Sequence, residues 1–464
     1  MLRVFRHHIA VSTMILAAVE TALLFTVLYV LLRLAGGQAA GSDDVYLIVP
    51  LIAASFAVMA AVGLYNRNVF FDVSLIASRT AVCIGFTVIL MAMIVYLYTL
   101  LWSGDYQSYV TICLASIIIH VLLVLLIRVI FLEVANLDAF KRRVLIIGAG
   151  PRAAKIDALG SHEPHFKTVG FLSTEGEPAE IRPDRVIGGA DPGGAQALCD
   201  LAEHHAVDEI VVAAREQRGL PVMELLECKL GGVQVTDFLT FYEREAQRVD
   251  LDELQPSWLI YSDGFRRGLL NQATKRAFDI VVSGAFLLLT LPLTIAAAIA
   301  VKLDSPGPVL YRQERVGLNG RLFSVMKFRS MRTDAESDGV PQWAAAQDQR
   351  VTRVGNFLRR TRIDEIPQIF NVLKGDMSFV GPRPERPFFV KSLSSQIPFY
   401  DQRHRVKPGI SGWAQINYPY GASVEDARAK LAYDLYYIKN GGLFLDIVTF
   451  LQTVRVVLWP DGVR

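Results

Sequence analysis

Four apolar stretches, at 9–34, 45–65, 80–102 and 109–132, fill the first third of this chain and constrain it more than any other feature. Each is near the roughly 20 residues a helix needs to cross the hydrocarbon core of a bilayer, where backbone N–H and C=O groups must be satisfied within the segment itself. A four-helix transmembrane bundle over 1–138 is therefore predicted. The first stretch is too long for a signal peptide and shows no small-residue cleavage site before the next span. Arg3 and Arg6 precede the first span, Arg67 and Arg79 flank the second connection, and Lys141, Arg142 and Arg143 follow the fourth span. The other two connections carry Asp43, Asp44 and Asp105. Basic loops stay on the cytoplasmic side, so both ends of the bundle are expected there. Glu20 falls inside the first span, where a carboxylate is either functional or packed, protonated, against another helix.

A length of 464 residues leaves room for two further domains at about 150 residues each. The formal net charge of +2 gives no global attraction to nucleic acid. Cys83, Cys113, Cys199 and Cys228 are scattered, with neither metal-ligand spacing nor a disulfide framework, and His204 and His205 lack a nearby ligand partner. From 143 the chain reads RVLIIGAGPRA, a buried strand, a turn and the start of a helix. Gly148, Gly150 and Ala153 fit the relaxed GxGxxA spacing that lets a backbone approach a pyrophosphate. Further strands at 168–172 and 209–213 and a helical pattern at 195–205 predict a Rossmann-like α/β domain over 139–265. The second strand ends in Ser173, Thr174 and Glu175, with no acid clearly placed for a ribose, so no bound cofactor is assigned to this domain.

A fifth apolar run, 280–301, contains Pro292 and is flanked by Lys275, Arg276 and Asp279 before it and by Lys302 and Asp304 after it. A full crossing would place Lys327, Arg329, Arg353, Arg359, Arg360 and Arg362 outside, against the positive-inside pattern. Pro292 removes a mid-helix hydrogen bond and can bend the segment, which predicts a re-entrant membrane helix over about 275–303. A buried helix of a soluble domain has the same flanks. Beyond it, residues 362–385 read RIDEIPQIFNVLKGDMSFVGPRPE. Asp364 and Glu365 precede the apolar segment 366–373, in which Pro367 suits the first turn of a helix. Acids at a helix N-terminus stay ionised, and a phosphate can be received beside them. Asp364 can serve as a nucleophile toward phosphorus and Glu365 as a ligand to magnesium, or Asp364 can simply cap the helix.

The C-terminal residues are similar to the catalytic domain of the bacterial sugar transferases, the monotopic phosphoglycosyl transferases. The matching pieces are KRAFD at 275–279, SPGP at 305–308, QERVG at 313–317, KFRSM at 327–331, DEIPQ at 364–368, GPRPE at 381–385 and KPGISGWAQIN at 407–417. The bundle and the α/β domain resemble those of the large members, the undecaprenyl-phosphate hexose phosphotransferases that start exopolysaccharide or O-antigen (lipopolysaccharide) synthesis. The resemblance implies a mainly α-helical monotopic catalytic domain over 266–464. It implies transfer of a hexose 1-phosphate from a UDP-sugar, UDP-glucose or UDP-galactose, to undecaprenyl phosphate, with release of UMP. On this reading Asp364 attacks the β-phosphorus and carries the phosphosugar, and Glu365 binds Mg2+ with help from Asp376. Lys327, Arg329 and Arg383, with Asp434, are candidates for contacts to substrate and phosphate. Each also reads as a structural ion pair. The family often has Ser-Pro at the bend of its membrane helix, whereas this chain has Leu291 before Pro292, with Thr290 and Thr294 nearby.

The expected location is the bacterial inner membrane, with the catalytic domain on the cytoplasmic face and membrane lipids as neighbours. A homodimer is expected through the α/β domain. The segment 443–459, apolar but carrying Asp446, Gln452 and Arg455, is expected to lie along the membrane surface. Two rival readings are a membrane-anchored NAD-dependent nucleotide-sugar dehydratase or epimerase and a non-catalytic capsule-assembly scaffold. The first needs a Tyr with a Lys four residues later, and no Tyr here has one: Tyr311 is followed at that spacing by Arg315 and Tyr29 by Arg33.

Overall fold

The computed structural model describes residues 2–4, 7–9, 11–36, 44–65, 73–102, 106–135, 141–162, 166–174, 177–189, 195–215, 220–261, 268–332, 350–419, 421 and 423–458. Arg6, Asp43, Arg67, Asp105, Glu175 and Trp459, used above as sequence signals, lie outside the described residues. The chain divides into two compact units, one spanning His8–Glu253 and the other Leu254–Arg464.

After two short paired strands at Leu2–Val4 and His7–Ile9 come four helices, α1 (Val11–Gly36), α2 (Asp44–Val62), α3 (Val73–Trp102) and α4 (Tyr106–Ala135). Segments of α1, α3 and α4, Thr13–Leu34, Arg79–Leu100 and Tyr109–Phe131, are long and apolar enough to cross a membrane. At 1.5 Å per residue the 19 residues of α2 extend roughly 28 Å, about the thickness of a hydrocarbon core. Leu24, Leu28, Leu51, Met91 and Val95 pack between the helices. Leucines and isoleucines such as Ile89, Ile118 and Leu122 instead point outward, the inverse of a water-soluble bundle. Glu20 is 1% exposed and forms an ion pair with Arg128 of α4, itself 2% exposed, at 2.8 Å. Tyr65 donates its hydroxyl to Glu20 Oε2 at 2.7 Å, and Arg128 Nη1 donates to the Leu64 carbonyl at 2.8 Å. A charge in an apolar bundle is tolerated when it is paired in this way.

The α/β part is a five-stranded parallel sheet of β1 (Arg142–Ile147), β2 (Phe166–Ser173), β3 (Val186–Gly189), β4 (Glu209–Val212) and β5 (Gln234–Asp237), in the order β3-β2-β1-β4-β5. Helices α5 (Pro151–His162), α6 (Ala195–His204), α7 (Val222–Leu230) and α8 (Phe238–Ala246) connect or follow the strands. β1 reads as a run of buried residues because apolar clusters cover both faces of the sheet. Gly148 has φ +119°, and a Cβ there would stand 2.8 Å from the Ala214 nitrogen, so the turn requires glycine. At Gly150 the space a Cβ would need is filled by the Glu177 carboxyl. The turn that resembles a dinucleotide cradle thus packs against the chain's own anion.

The second unit opens with the short helix α9 (Pro256–Tyr261) and continues with α10 (Leu269–Asp304), 36 residues or roughly 54 Å long. α10 runs through Pro292, and the hydroxyls of Thr290 and Thr294 donate back to the Phe286 and Thr290 carbonyls at 2.7 and 2.8 Å. Its polar first third is fastened down. Lys275 donates to Asp446 and the Val380 carbonyl, Arg276 donates to the Val372 and Leu373 carbonyls, and Asp279 accepts from Ser378 and the Phe379 N–H. The KRAFD motif is therefore the attachment of this helix to the domain beyond it. One side of its apolar remainder, including Leu288, Leu289 and Leu303, is exposed, while Ala297 and Val301 are buried on the other.

An antiparallel hairpin follows, β6 (Leu310–Val316) with β7 (Leu322–Phe328), and then α11 (Arg353–Arg360) and α12 (Gln368–Lys374). Strands β8 (Ser378–Val380) and β9 (Gly409–Ser411) pair in parallel. They are accompanied by α13 (Pro387–Gln396), α14 (Trp413–Asn417), α15 (Val424–Asn440) and α16 (Leu443–Leu458). A Cβ on Gly409 would collide with the backbone of Gly381, which is why glycines recur where these two strands lie side by side. In α16, Asp446 is buried against Tyr437 and Lys275, while Leu443, Ile447 and Val454 remain exposed.

Candidate active site

The acidic pair sits one turn earlier than the sequence pattern suggests. Arg362 adopts a left-handed conformation at φ 60°, Ile363–Glu365 form a 3-10 turn, and α12 starts only at Gln368 with Pro367 as its cap. The N–H groups of Glu365 and Ile366 are bonded to the Arg362 and Ile363 carbonyls within that turn. Ile363, Ile366 and Ile369 anchor it in a core shared with Ala297 and Val301 of α10 and with Leu358 of α11. Apolar packing from three helices therefore fixes where the carboxylates project.

Glu365 Oε1 accepts from two cations, Lys327 Nζ at 2.7 Å and Arg383 Nη2 at 2.9 Å. Lys327 comes from β7 and Arg383 from the segment after β8, where Pro382 and Pro384 on either side restrict the backbone. Burial alone would raise the Glu365 carboxyl, but Arg383, Lys327 and Arg362 outweigh it and hold the group well below the usual range. Asp364, 8% exposed, goes the other way: burial and the neighbouring Glu365 charge push it up to about 6, against the pull of Lys327, Arg362 and Arg383. Adjacent carboxyls are thus driven apart in acidity, Glu365 held well below the usual range and Asp364 raised to about 6. Burial lowers Lys327, and repulsion from Arg383 adds to that against the attraction of Glu365.

The remaining sequence candidates are placed elsewhere. Arg329, just past the end of β7, is buried and donates to the carbonyls of Val301, Ser305 and Pro306, closing the C-terminal end of α10. Asp376 pairs with Lys374 at 2.9 Å in the turn after α12. Asp434 lies buried in α15, 2.9 Å from Arg403 Nη2, and burial pushes its carboxyl up to about 6 against that guanidinium. Arg403 is a residue that sequence reasoning missed. It is buried, and it donates to the Tyr400 hydroxyl at 2.6 Å and to the backbone carbonyl of Arg383 at 3.0 Å. Through that carbonyl it fixes the segment whose side chain holds Glu365. Its place in RHRVKPG, just before the last family motif, carries no pattern that would have marked it.

Among the described residues no three His, Cys, Asp or Glu side chains cluster as a ready-made metal cage. The adjacent carboxyls of Asp364 and Glu365 fit a hard divalent ion of the kind that is held by one or two carboxylates and completes its shell with water and substrate phosphate. Asp376, paired with Lys374, is not brought to them by any contact among the described residues. With one ionised carboxylate pinned between two cations and a second, titratable one beside it, the site can receive phosphate oxygens and offer a nucleophile.

A model of the family described as bacterial sugar transferase matches residues 270–460, a stretch that contains every residue of this site. Over 240 residues the chain is 44% identical to a UDP-N-acetylgalactosamine-undecaprenyl-phosphate N-acetylgalactosaminephosphotransferase of Aeromonas hydrophila, covering 52% of this chain and 56% of that one. It is 34% identical over 325 residues to an undecaprenyl-phosphate glucose phosphotransferase of Komagataeibacter xylinus, covering 68% of this chain and 58% of the other. The chain therefore spans a little over half the length of these two relatives. It is also 44% identical over 186 residues to an exopolysaccharide production protein of Rhizobium leguminosarum bv. phaseoli, covering 39% of this chain and 92% of that protein.

Proposed function

This chain belongs to the bacterial sugar transferase family, and from that premise we propose that it moves a hexose 1-phosphate from a UDP-sugar to undecaprenyl phosphate, the step that starts assembly of an exopolysaccharide or O-antigen repeat. Support comes first from one feature, the Glu365 carboxylate shared by Lys327 and Arg383 beside the titratable Asp364. An Asp364 oxygen attacks the β-phosphorus of the donor, the bond from that phosphorus to the bridging oxygen breaks, and UMP leaves with the electron pair. The phosphosugar is then esterified to Asp364. A phosphate oxygen of the polyprenyl acceptor attacks the same phosphorus, and the aspartyl oxygen departs as a free carboxylate. Two displacements let a water-soluble donor and a lipid acceptor use one site in turn.

Lys327 and Arg383 stand where donor phosphate oxygens would arrive, and both are already oriented by Glu365, so little reorganisation is needed as charge shifts. Asp364 and Glu365 would hold the magnesium ion. When bound, it would neutralise phosphate oxygens so that an anionic nucleophile can approach. Arg403, held by Asp434, positions Arg383 and touches neither substrate. In this reading the chain resides in the bacterial inner membrane with its catalytic unit on the cytoplasmic face, and α10 enters and leaves by that face, turning near Pro292. The protein acts as a homodimer. UMP release by the full chain in lipid, with undecaprenyl phosphate, Mg2+ and a panel of UDP-glucose, UDP-galactose and UDP-N-acetylgalactosamine, tests the proposal. Release with one of these sugars and dependence on the lipid acceptor are expected. Absence of UMP with every donor would remove the reading.

A further inference from the structure

We propose that α11 is a contact site for anionic phospholipid, with Phe357 seated among acyl chains and Arg353, Arg359 and Arg360 on headgroup phosphates. The helix has two sharply different sides. Gly355 and Leu358 are buried, and Val354 and Leu358 join the core formed by Ala297 and Val301 of α10. Arg353, Phe357 and Arg360, spaced four and three residues apart, share the opposite side, with Phe357 60% exposed. A large exposed aromatic flanked by cations suits a headgroup boundary, where the ring is taken up by chains and the guanidinium groups stay with phosphate.

Depth is set by α10. Its C-terminal third, with Ile295, Ile299 and Leu303 between 53 and 83% exposed, is apolar up to Val301 and is closed by the charged pair Lys302 and Asp304. Asp304 Oδ2 in turn accepts the Val354 N–H in the first turn of α11 at 3.2 Å. The start of α11 is therefore tied to the point where the lipid-facing surface of α10 stops. This holds whether α10 crosses or turns back, because either path ends at an interface.

Charge selects the occupant. None of Arg353, Arg359 and Arg360 has a carboxylate partner among the described residues. A second copy presenting the same face would bring like charges together, whereas an anionic leaflet complements them.

The test uses the full chain in nanodiscs and the emission that Phe357→Trp adds over the unsubstituted protein. Acyl chains brominated on phosphatidylglycerol alone, or at the same mole fraction on phosphatidylcholine alone, serve as quenchers. Added emission should be quenched by both, and more strongly by brominated phosphatidylglycerol. Arg353→Gln, Arg359→Gln and Arg360→Gln, each made singly, should lower that preference by up to about fivefold, and added salt should weaken it. Three results would overturn the proposal. They are unquenched emission at a water-exposed wavelength, unquenched but shifted emission indicating cover by protein, and equal quenching by both lipids that the arginine changes do not alter.

Discussion

Two buried carboxylate clusters in this chain solve the same electrostatic problem in opposite ways. In the bundle, Glu20 has one cation, Arg128, which meets it with Nε and Nη2 and donates its third nitrogen to the Leu64 carbonyl, and Tyr65 completes the cluster. In the C-terminal unit, two cations converge on a single oxygen of Glu365, and a second carboxyl, Asp364, stands next to it. The first cluster balances one charge with one charge. The second sets three cations, Lys327, Arg383 and the nearby Arg362, against two carboxyls, an excess that suits an incoming phosphate. Balanced pairs hold helices together, and unbalanced ones bind and react.

The sharpest way to break this contrast is to remove the proposed nucleophile. Asp364→Asn should lower UMP release on the order of 10³-fold or more, with the circular dichroism of the protein unchanged. Retention of near-normal turnover would make Asp364 a structural acid like Glu20. Neutralising the central carboxylate of each cluster comes next. Glu20→Gln leaves Arg128 uncompensated and should cost roughly 3 kcal/mol of stability while turnover per folded molecule stays constant. Glu365→Gln should reduce turnover about 10²-fold, because Lys327 and Arg383 lose the group that orients them. If both variants lost turnover equally, the division between holding and reacting would fail.

Arg403→Lys should have a smaller effect, about a tenfold loss in kcat, since lysine can meet Asp434 but not also reach the Arg383 carbonyl. A double-mutant cycle with Arg383→Lys should be strongly non-additive if Arg403 acts through Arg383. Additive losses would mean that it merely supports the core.

How much of this was legible beforehand differs between the same two regions. The helices of the bundle follow from apolar length alone, because a bilayer permits few alternatives, and their ends fall within a few residues of the sequence estimate at most termini. The pairing of Glu20 with Arg128 was not legible, since it joins positions 108 residues apart on helices whose rotation about their axes no period reveals. In the C-terminal unit the motifs marked Asp364, Glu365, Lys327 and Arg383, and the structure brings these four together. Motif membership could not separate Lys327 from Arg329, two residues on, whose guanidinium is turned to the end of α10. β4 is as short but was legible as the apolar run at 210–212, whereas β3 and β5 escaped notice because Gly188 and Gly189 close one and Gln234, Thr236 and Asp237 make up most of the other. Arg403 was invisible because its role is to bond a backbone carbonyl, which leaves no residue-type signature at the partner position.

The smallest predicted effect concerns acidity and separates Asp364 from its neighbour most finely. An attacking carboxylate must be ionised, and Asp364 sits at about 6. The rate constant kcat/KM for the donor should therefore climb as pH rises through 6 and level off above it, falling about tenfold per unit on the acid side. Glu365, held far lower, contributes no step in this range. Arg362 is among the cations that pull Asp364 down, and it bonds neither carboxyl directly. Removing its charge with Arg362→Gln should shift the midpoint to higher pH while leaving the plateau rate largely intact, because the proton is then held more tightly but the ionised form reacts as before. A shift to lower pH, or an unmoved midpoint, would mean that the titrating group is not Asp364 and that the comparison with Glu20 has been drawn around the wrong carboxyl.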